Sequence, residues 1–298
     1  MFPGSGPAIS LHWVSSSPLS LLHRVEAQRE ELTKTGRKVA QYLLANGDQV
    51  AFGTVADVAH ECGVGVASVH RLALQLGYSG FTEMQDAARS EMSQRLRPAS
   101  EKIRTPSGGD AVERVLAVET RNIESTLRSL DRSALVAMVK MLVDDKRRVL
   151  VASGEASRGV ATQFAAEMAA LRDGVEILSG NSVAASAQVA RSRRGDVIVV
   201  VDFHRYDAWL IEAVEQAAAH GMQVWTVSDS RLSPLGMQAH HNFEVAAESA
   251  SPFDSHVAAL VFFSLVVTMA AEALRNAATK RVDAVERAWR DGGLLRES

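Results

Sequence analysis

Residues Thr54 to Phe81 read TVADVAHECGVGVASVHRLALQLGYSGF. Two short helical segments, Thr54–Glu61 and Val66–Leu76, flank the tetrad Cys62-Gly63-Val64-Gly65. Helices that cross this tightly need a small residue where they touch, and Ala59 supplies it. Four residues later the turn needs positive φ, which glycine adopts freely, and Gly63 stands there. Val64, Val69 and Leu72 are the apolar contacts that lock the second helix onto the first. That leaves Val66, Ala67, Ser68, His70, Arg71 and Gln75 to divide between the outer side and the flanks of the second helix. From Cys62 to Thr82 the chain carries Arg71 and no acidic residue, which suits a surface set against phosphates. The stretch reads as a helix-turn-helix whose DNA-contacting residues are those six, with an ordinary helical hairpin as the alternative.

The neighbouring sequence extends the helical reading. Thr33 to Asn46 places Val39, Leu43 and Leu44 on one face, and Asn46-Gly47 is a C-cap signal. Thr82 to Leu96 is a further helix, so residues 21–97 are expected to form an all-α DNA-binding domain behind a flexible Ser/Pro-rich tail, 1–20. Pro98 to Asp110 (PASEKIRTPSGGD) gathers prolines, glycines and small polar residues and is expected to be a linker. Beyond it, Asp110 caps a helix carrying Val112, Leu116, Ile123, Leu127 and Leu130, and another helix spans Ser133 to Val143. Short apolar runs then alternate with helical segments: Arg148–Ala152, Val175–Leu178, Val197–Val201, Gln223–Val227 and Asn242–Val245. Such alternation predicts a doubly wound α/β domain over 111–290, a five-stranded parallel sheet covered on both faces.

Composition narrows the function classes. Hydrophobic residues at 47% and charged residues at 22% exclude wholesale disorder. Lysine plus arginine (32) against aspartate plus glutamate (35) leaves −3, so nucleic-acid binding has to come from a local patch. A single cysteine excludes an internal disulfide and a thiolate zinc site. The first twenty residues lack the pattern of a signal peptide. His256 to Ala271, sixteen residues without a charge, falls short of the roughly 20 a membrane helix needs and reads as a buried core helix. A soluble cytoplasmic protein with no membrane partner is expected.

The run from Leu32 to Leu96 resembles the N-terminal domain of the RpiR/MurR family of bacterial transcriptional regulators. The resemblance is carried by LTKTGRKVAQYLL, by VAF at Val50–Phe52 and by TVADVAHECGVGVASVHRLALQLGYSGFTEMQ, the Leu76-to-Phe81 run (LGYSGF) above all. Gly65 stands where the family usually has Ser at the recognition-helix N-cap, a change costing only a few tenths of a kcal/mol. About Leu130 to Ala288 resembles the SIS (sugar isomerase) domain these regulators carry, which implies a flavodoxin-type strand order for the sheet. That resemblance implies a phosphosugar bound by turns at the carboxyl ends of the strands.

Two loops bear on that implication. The first, Ser153-Gly154-Glu155-Ala156-Ser157-Arg158, runs directly into a helix: Gly154 permits a tight turn, and Ser157 with the helix N–H groups suits an anion. The second departs from the family. Where phosphosugar-binding members have S-x-S-G-x-T, this chain has Asp202-Phe203-His204-Arg205-Tyr206-Asp207. Either His204 or Arg205 meets an anion there, or Asp202 and Asp207 pair with Arg205 and leave no room for phosphate. Glu248 to Ser255 precedes the long last helix and closes the pocket from another side. The expected effector contacts are Ser153, Gly154, Ser157, Asp202, His204, Arg205, Glu248 and Ser251.

These readings give a DNA-binding regulator, a homodimer or higher homo-oligomer, that reads operator double-stranded DNA and senses a small metabolite, a sugar phosphate or another anion. The alternative is a phosphosugar isomerase-type enzyme with a helical accessory domain. Glu248 beside His204 would be its acid–base pair, but no geometry in the sequence joins them, and no catalytic residue is assigned. The histidines are scattered, adjacent His240-His241 cannot share a helical face, and neither metal nor cofactor is expected. Cys62 falls in the turn, where small and apolar suffices.

Overall fold

A computed structural model describes residues 21–28, 31–45, 50–51, 53–96, 98–105, 108–230 and 233–294. The expected tail, the Asn46-Gly47 cap and Phe52 lie outside the described residues. The chain divides into two compact units, Met1–Arg97 and Pro98–Ser298.

The first unit is helical: α1 (Leu21–Ala27), α2 (Lys34–Ala45), α3 (Val55–Glu61), α4 (Val66–Gln75) and α5 (Phe81–Leu96). Its core gathers Leu32, Val39, Leu43, Val58, Ala59, Val69, Leu72 and Met84. Thr54 begins α3 with a capping box: its hydroxyl oxygen accepts the Asp57 N–H at 3.2 Å, and Asp57 Oδ2 accepts the Thr54 N–H at 2.8 Å. Gly63 ends the helix at φ +58°, where the Gly63 N–H reaches the His60 carbonyl and the Val64 N–H that of Ala59. Arg24 locks the far end of α4, donating to the carbonyls of Leu76 and Gly77 and lying 4.4 Å above the Tyr78 ring.

The second unit is built on a parallel sheet of five strands in the order β2-β1-β3-β4-β5: β1 (Val149–Ser153), β2 (Val175–Ile177), β3 (Val197–Val201), β4 (Gln223–Ser228) and β5 (His241–Glu244). Its helices are α6 (Ala99–Arg104), α7 (Ala111–Ser129), α8 (Arg132–Leu142), α9 (Arg158–Leu171), α10 (Ser182–Ala190), α11 (Ala208–Ala219) and α12 (Val257–Asp291). Alternate strand residues divide two cores. Val149, Val151, Val197, Val199 and Val201 pack with α8, α9 and α12, through Met138, Phe164, Phe262 and Phe263. Leu150, Ala152, Ile198 and Val200 pack on the other face with α10 and α11, through Val189, Leu210 and Val214. All five residues of β3 are buried, as a central parallel strand requires.

Two elements add to the sequence reading. Within the 98–110 stretch, Ala99–Arg104 forms a short helix that Pro98 can begin without losing a backbone bond. The final helical segment runs past its charge-free stretch to Asp291 with a break in the helical backbone at Arg275, and by length and composition alone it passes for a membrane span, as the core helix of a folded domain also does. One side of it, Ala258, Ala259, Phe262, Phe263, Val266 and Ala270, is buried in the domain core. Asp110 caps α7 as read, its carboxylate accepting the Val112 N–H at 2.8 Å.

Gly63→Ala puts a side chain into the left-handed region and is expected to cost about 1–2 kcal/mol. Urea unfolding of the full chain measures it; an unchanged midpoint for the helical unit would show that the turn relaxes.

Candidate functional site

The outer face of α4 is the candidate nucleic-acid surface. Val66, Ala67, His70 and Arg71 are exposed, while Ser68 and Gln75 are half-buried. Arg71 lies along its own helix, Nε donating to the Ala67 carbonyl at 3.3 Å and Nη2 to Ser68 Oγ at 3.4 Å. These weak, exposed bonds leave the guanidinium close to the helix and ready to exchange partners. Gln75 is committed elsewhere: its amide donates to the Glu31 carbonyl at 3.2 Å. His70 stands edge-on to Phe81, with centroids 6.5 Å apart. Leu74, 57% exposed, shares this side of the helix. Sequence reasoning left it unassigned, although its spacing from Val66, His70 and Arg71 places it outward. Gly65 precedes the helix with extended backbone and no side-chain cap, leaving the first N–H groups without an intramolecular hydroxyl partner. Cys62 is buried, and burial pushes its thiol pKa up, which suits packing rather than thiolate chemistry.

In the second unit, the loops after β1, β3 and β4 converge at the carboxyl edge of the sheet. Asp202 is 2% exposed. Its Oδ1 accepts the hydroxyl of Ser157, which begins α9, at 3.2 Å, and its Oδ2 accepts the Asp207 N–H at 3.2 Å. Asp207 in turn takes the Glu155 N–H on Oδ2 at 2.9 Å, joining the first loop to the second. A β-carbon at position 154 would overlap the Asp202 carboxylate, so the first turn has glycine where a carboxylate presses against it. The third loop contributes Asp229, whose Oδ1 accepts the His204 N–H at 3.1 Å and the Tyr206 hydroxyl at 2.6 Å.

The structure therefore brings Gly154, Ser157 and Asp202 together and holds His204 beside Asp229. Ser153 ends β1 opposite Val201. Arg205 is exposed at a loop tip with φ +23°, and among the described residues it has no hydrogen-bond or ion-pair partner. The carboxylates of Asp202 and Asp207 bond to N–H and O–H groups instead of to Arg205. Glu248 and Ser251 make no hydrogen bond to the first two loops among the described residues. The Glu248 carbonyl is held by the Asn122 amide at 2.7 Å, and Ser251 sits in its own turn, bonded to Ser249 and Phe253.

His256 is the functional candidate that sequence reasoning missed. It lies one residue past the Glu248–Ser255 segment singled out, at the start of α12. Its Nε2 is 3.2 Å from Ser157 Oγ and its ring is 4.9 Å from that of Phe203. Burial lowers the His256 pKa, against the attraction of Asp254. Burial raises that of Asp254, against Lys102 at 3.9 Å. Tyr206 is pushed up by burial and by Asp229. A groove of about 640 Å³ opens beside this edge between α9 and α12, reaching His256, Ala156 and Phe263. A second depression, of about 380 Å³, lies at the opposite edge around Arg147, Arg194 and His240 and contains none of the predicted contacts. Among the described residues no group of three His, Cys, Asp or Glu could hold a metal ion.

Burial pushes the Asp202 carboxyl up to about 6, outweighing the hydrogen bonds from Asp207, Phe203 and Ser157. A raised pKa means that the folded chain holds a proton the unfolded chain releases. The contribution of Asp202 to stability therefore falls as pH rises from about 4 through 6. Asp202→Asn mimics the protonated acid and should stabilise the fold above pH 7 by roughly 2–3 kcal/mol, with the gain gone near pH 4. Urea midpoints at both pH values check this; a variant less stable at every pH would show that its partners, not burial, dominate the carboxylate.

Comparison with known proteins places both units. A family model for the rpiR-family helix-turn-helix domain matches residues 19–95, and one for the SIS domain matches 141–269. Among curated relatives, the HTH-type transcriptional regulator HexR of Pseudomonas aeruginosa is 23% identical over 207 residues, 69% of this chain and 72% of that one. YfhH of Escherichia coli, an uncharacterized HTH-type transcriptional regulator, is 25% identical over 250 residues, 80% of this chain and 86% of that one. Among solved structures, the Vibrio vulnificus NanR protein complexed with ManNAc-6P has a TM-score of 0.56 at 21% identity, covering 93% of this chain and all of that one. The sugar isomerase domain of an RpiR transcription factor from Sphaerobacter thermophilus has a TM-score of 0.57 at 21% identity, covering 60% of this chain and 99% of that one. Residues 19–95 thus carry a helix-turn-helix domain of the rpiR family, and residues 141–269 a SIS domain on the parallel β2-β1-β3-β4-β5 sheet, the pair of domains found together in transcriptional regulators of the RpiR type that this chain resembles.

Proposed function

We propose that this regulator binds operator DNA as a homodimer through α4 and changes its affinity when its SIS domain takes a small metabolite of the sugar class at the carboxyl edge of the sheet. The observation that carries the DNA half is the exposed face of α4, where Val66, Ala67, His70 and Arg71 stand outward on an acid-free stretch. Arg71 has the geometry for either a guanine edge or a phosphate, while Gln75 serves the fold through its bond to Glu31. The sensing half is supported by the convergence of three loops on Ser157, Asp202 and His256. HexR and NanR are similar proteins, and NanR was solved with ManNAc-6P, which supports sugars and their derivatives as the ligand class. Whether a phosphate accompanies the sugar turns on Asp202. Coupling between the sites needs only about 1–3 kcal/mol to alter operator affinity 5- to 150-fold. A cytoplasmic location follows from this role.

The dimer surface is proposed from α7. Val112, Val115 and Leu116 stand 72%, 48% and 67% exposed, at spacings that share one side of the helix. A second copy of the same face covers such a stripe by two-fold symmetry. One short recognition helix buries too little to select a genomic site, whereas a pair reads half-sites about 34 Å apart or multiples of that.

Two experiments test these proposals. Retardation of the chain's own upstream DNA, with and without a metabolite extract, should show binding that the extract alters. Arg71→Ala should weaken that binding by about 1–3 kcal/mol at fixed salt, and a change under twofold would remove α4 as the reader. Val112→Glu with Leu116→Glu should sediment as a monomer where the parent chain is a dimer at micromolar concentration. A dimer in the variant, or a monomer in the parent even on DNA, would overturn the α7 interface.

A further inference from the structure

The carboxyl edge looks at first like a receptor for anions. It has a serine hydroxyl at the start of α9, a tight glycine turn and two backbone N–H groups facing a common space, the arrangement that ordinarily favours negative charge. Every one of those groups is already occupied from within. The Ser157 hydroxyl, fully buried, is bound by Asp202 Oδ1 and lies equally close to His256 Nε2. The Asp207 N–H is bound by Asp202 Oδ2, and the Glu155 N–H by Asp207 Oδ2. The contact with Gly154 is tighter still: no atom fits between the glycine and the Asp202 carboxylate, since even a β-carbon would overlap it.

We infer that Asp202 is a specificity-determining residue: its carboxylate occupies the anion position between Gly154, Ser157 and Asp207, so the domain rejects phosphate esters and takes a ligand whose end at this edge is uncharged. The inference rests on the reading of this edge as the sensing site. Three physical arguments support it. The first is steric, because a phosphate and the Asp202 carboxylate would have to share the niche against Gly154. The second is electrostatic, because like charges a few ångströms apart in a buried site repel strongly. The third is the balance of donors and acceptors. Asp207, Asp229 and Asp254 also lie at this edge, and acceptor-only carboxylates pair with ligand hydroxyls rather than with phosphate oxygens. Around Asp202 the charged or titratable neighbours are His204, Arg205, Tyr206 and Asp207 on its own loop, His256 at the start of α12, and Asp229 on the next loop. Of these only His204, His256 and Arg205 could offset a phosphate. Arg205 is exposed at the loop tip and bonds to neither carboxylate, the backbone of His204 is tied to Asp229, and burial disfavours the charged form of His256.

The probe is inorganic phosphate, measured by equilibrium dialysis with full-length protein near neutral pH. The wild-type chain should show no saturable binding up to about 10 mM, whereas Asp202→Ser should bind at least tenfold more tightly than that limit. Ser157→Ala placed in the Asp202→Ser background should remove the gain, which locates the binding at this niche. Asp202→Ala is the second variant, should the serine form melt early; it removes the charge and the bulk without adding a donor. Saturable phosphate binding by the wild-type chain that Ser157→Ala abolishes would overturn the inference. So would folded Asp202→Ser and Asp202→Ala proteins that bind no phosphate. Failure of the sensing-site reading itself looks different: the metabolite extract would still alter operator retardation, and equally in all the Asp202 and Ser157 variants, whatever the dialysis result.

Discussion

The carboxylate of Asp202 and the missing side chain of Gly154 are two halves of one constraint, and the functional edge of the second unit is arranged around it. With glycine in the β1–α9 turn, the second loop can come in until its carboxylate touches backbone. Once there, Asp202 orients Ser157 and anchors the Asp207 N–H, while Asp207 reaches back to Glu155. Ser157 then meets His256, which ties the start of the last helix to the first loop. A side chain at position 154 would have to displace the Asp202 carboxylate on which these bonds converge. The buried charge is tolerated because it has donors on both oxygens, and it still carries a raised pKa because burial costs more than those donors return.

The two units use polar groups in opposite ways. On α4, Arg71 is held only by weak bonds to its own helix, and the first N–H groups meet no capping hydroxyl. Such a surface has bonding capacity to give to phosphates and base edges. In the niche around Asp202 the donors are already satisfied internally, so a ligand entering it gains only by exchanging with existing bonds. That difference sets the energetic scale of each event: contacts to DNA add to those present, whereas sensing replaces one network by another.

The sheet was legible in the sequence because its physics is local. Runs such as Val197–Val201 are apolar on both faces, and all five strands fall within two residues of the boundaries that pattern predicts. The crossing of α3 and α4 was legible for the same reason, since Ala59 and Gly63 are each required by one contact or one φ value. The site was less legible, because its meaning depends on partners far apart in the chain. Nothing local shows that Asp202 turns inward to Ser157 while Arg205, three residues on, points away. His256 becomes visible only when the helix start it occupies is brought 3.2 Å from Ser157. The helix at Ala99–Arg104 was hidden by the prolines and glycines around it, which dominate a composition-based reading of the 98–110 stretch. Gln75 looked available from its position on α4 and is instead bonded to a carbonyl 44 residues earlier.

The stability of the sheet ends at Val201, one residue before the loop that sets ligand chemistry. All five residues of β3 are buried and the strand is paired on both sides, so its pairing does not depend on the polar side chains of residues 202–207. The loop can therefore exchange hydroxyls for carboxylates, or the reverse, without passing through an unfolded intermediate sequence. A scaffold of this kind separates the mutational path of its fold from that of its ligand preference. Regulators built on it are free to diversify what they respond to in a few substitutions while inheriting the same architecture unchanged.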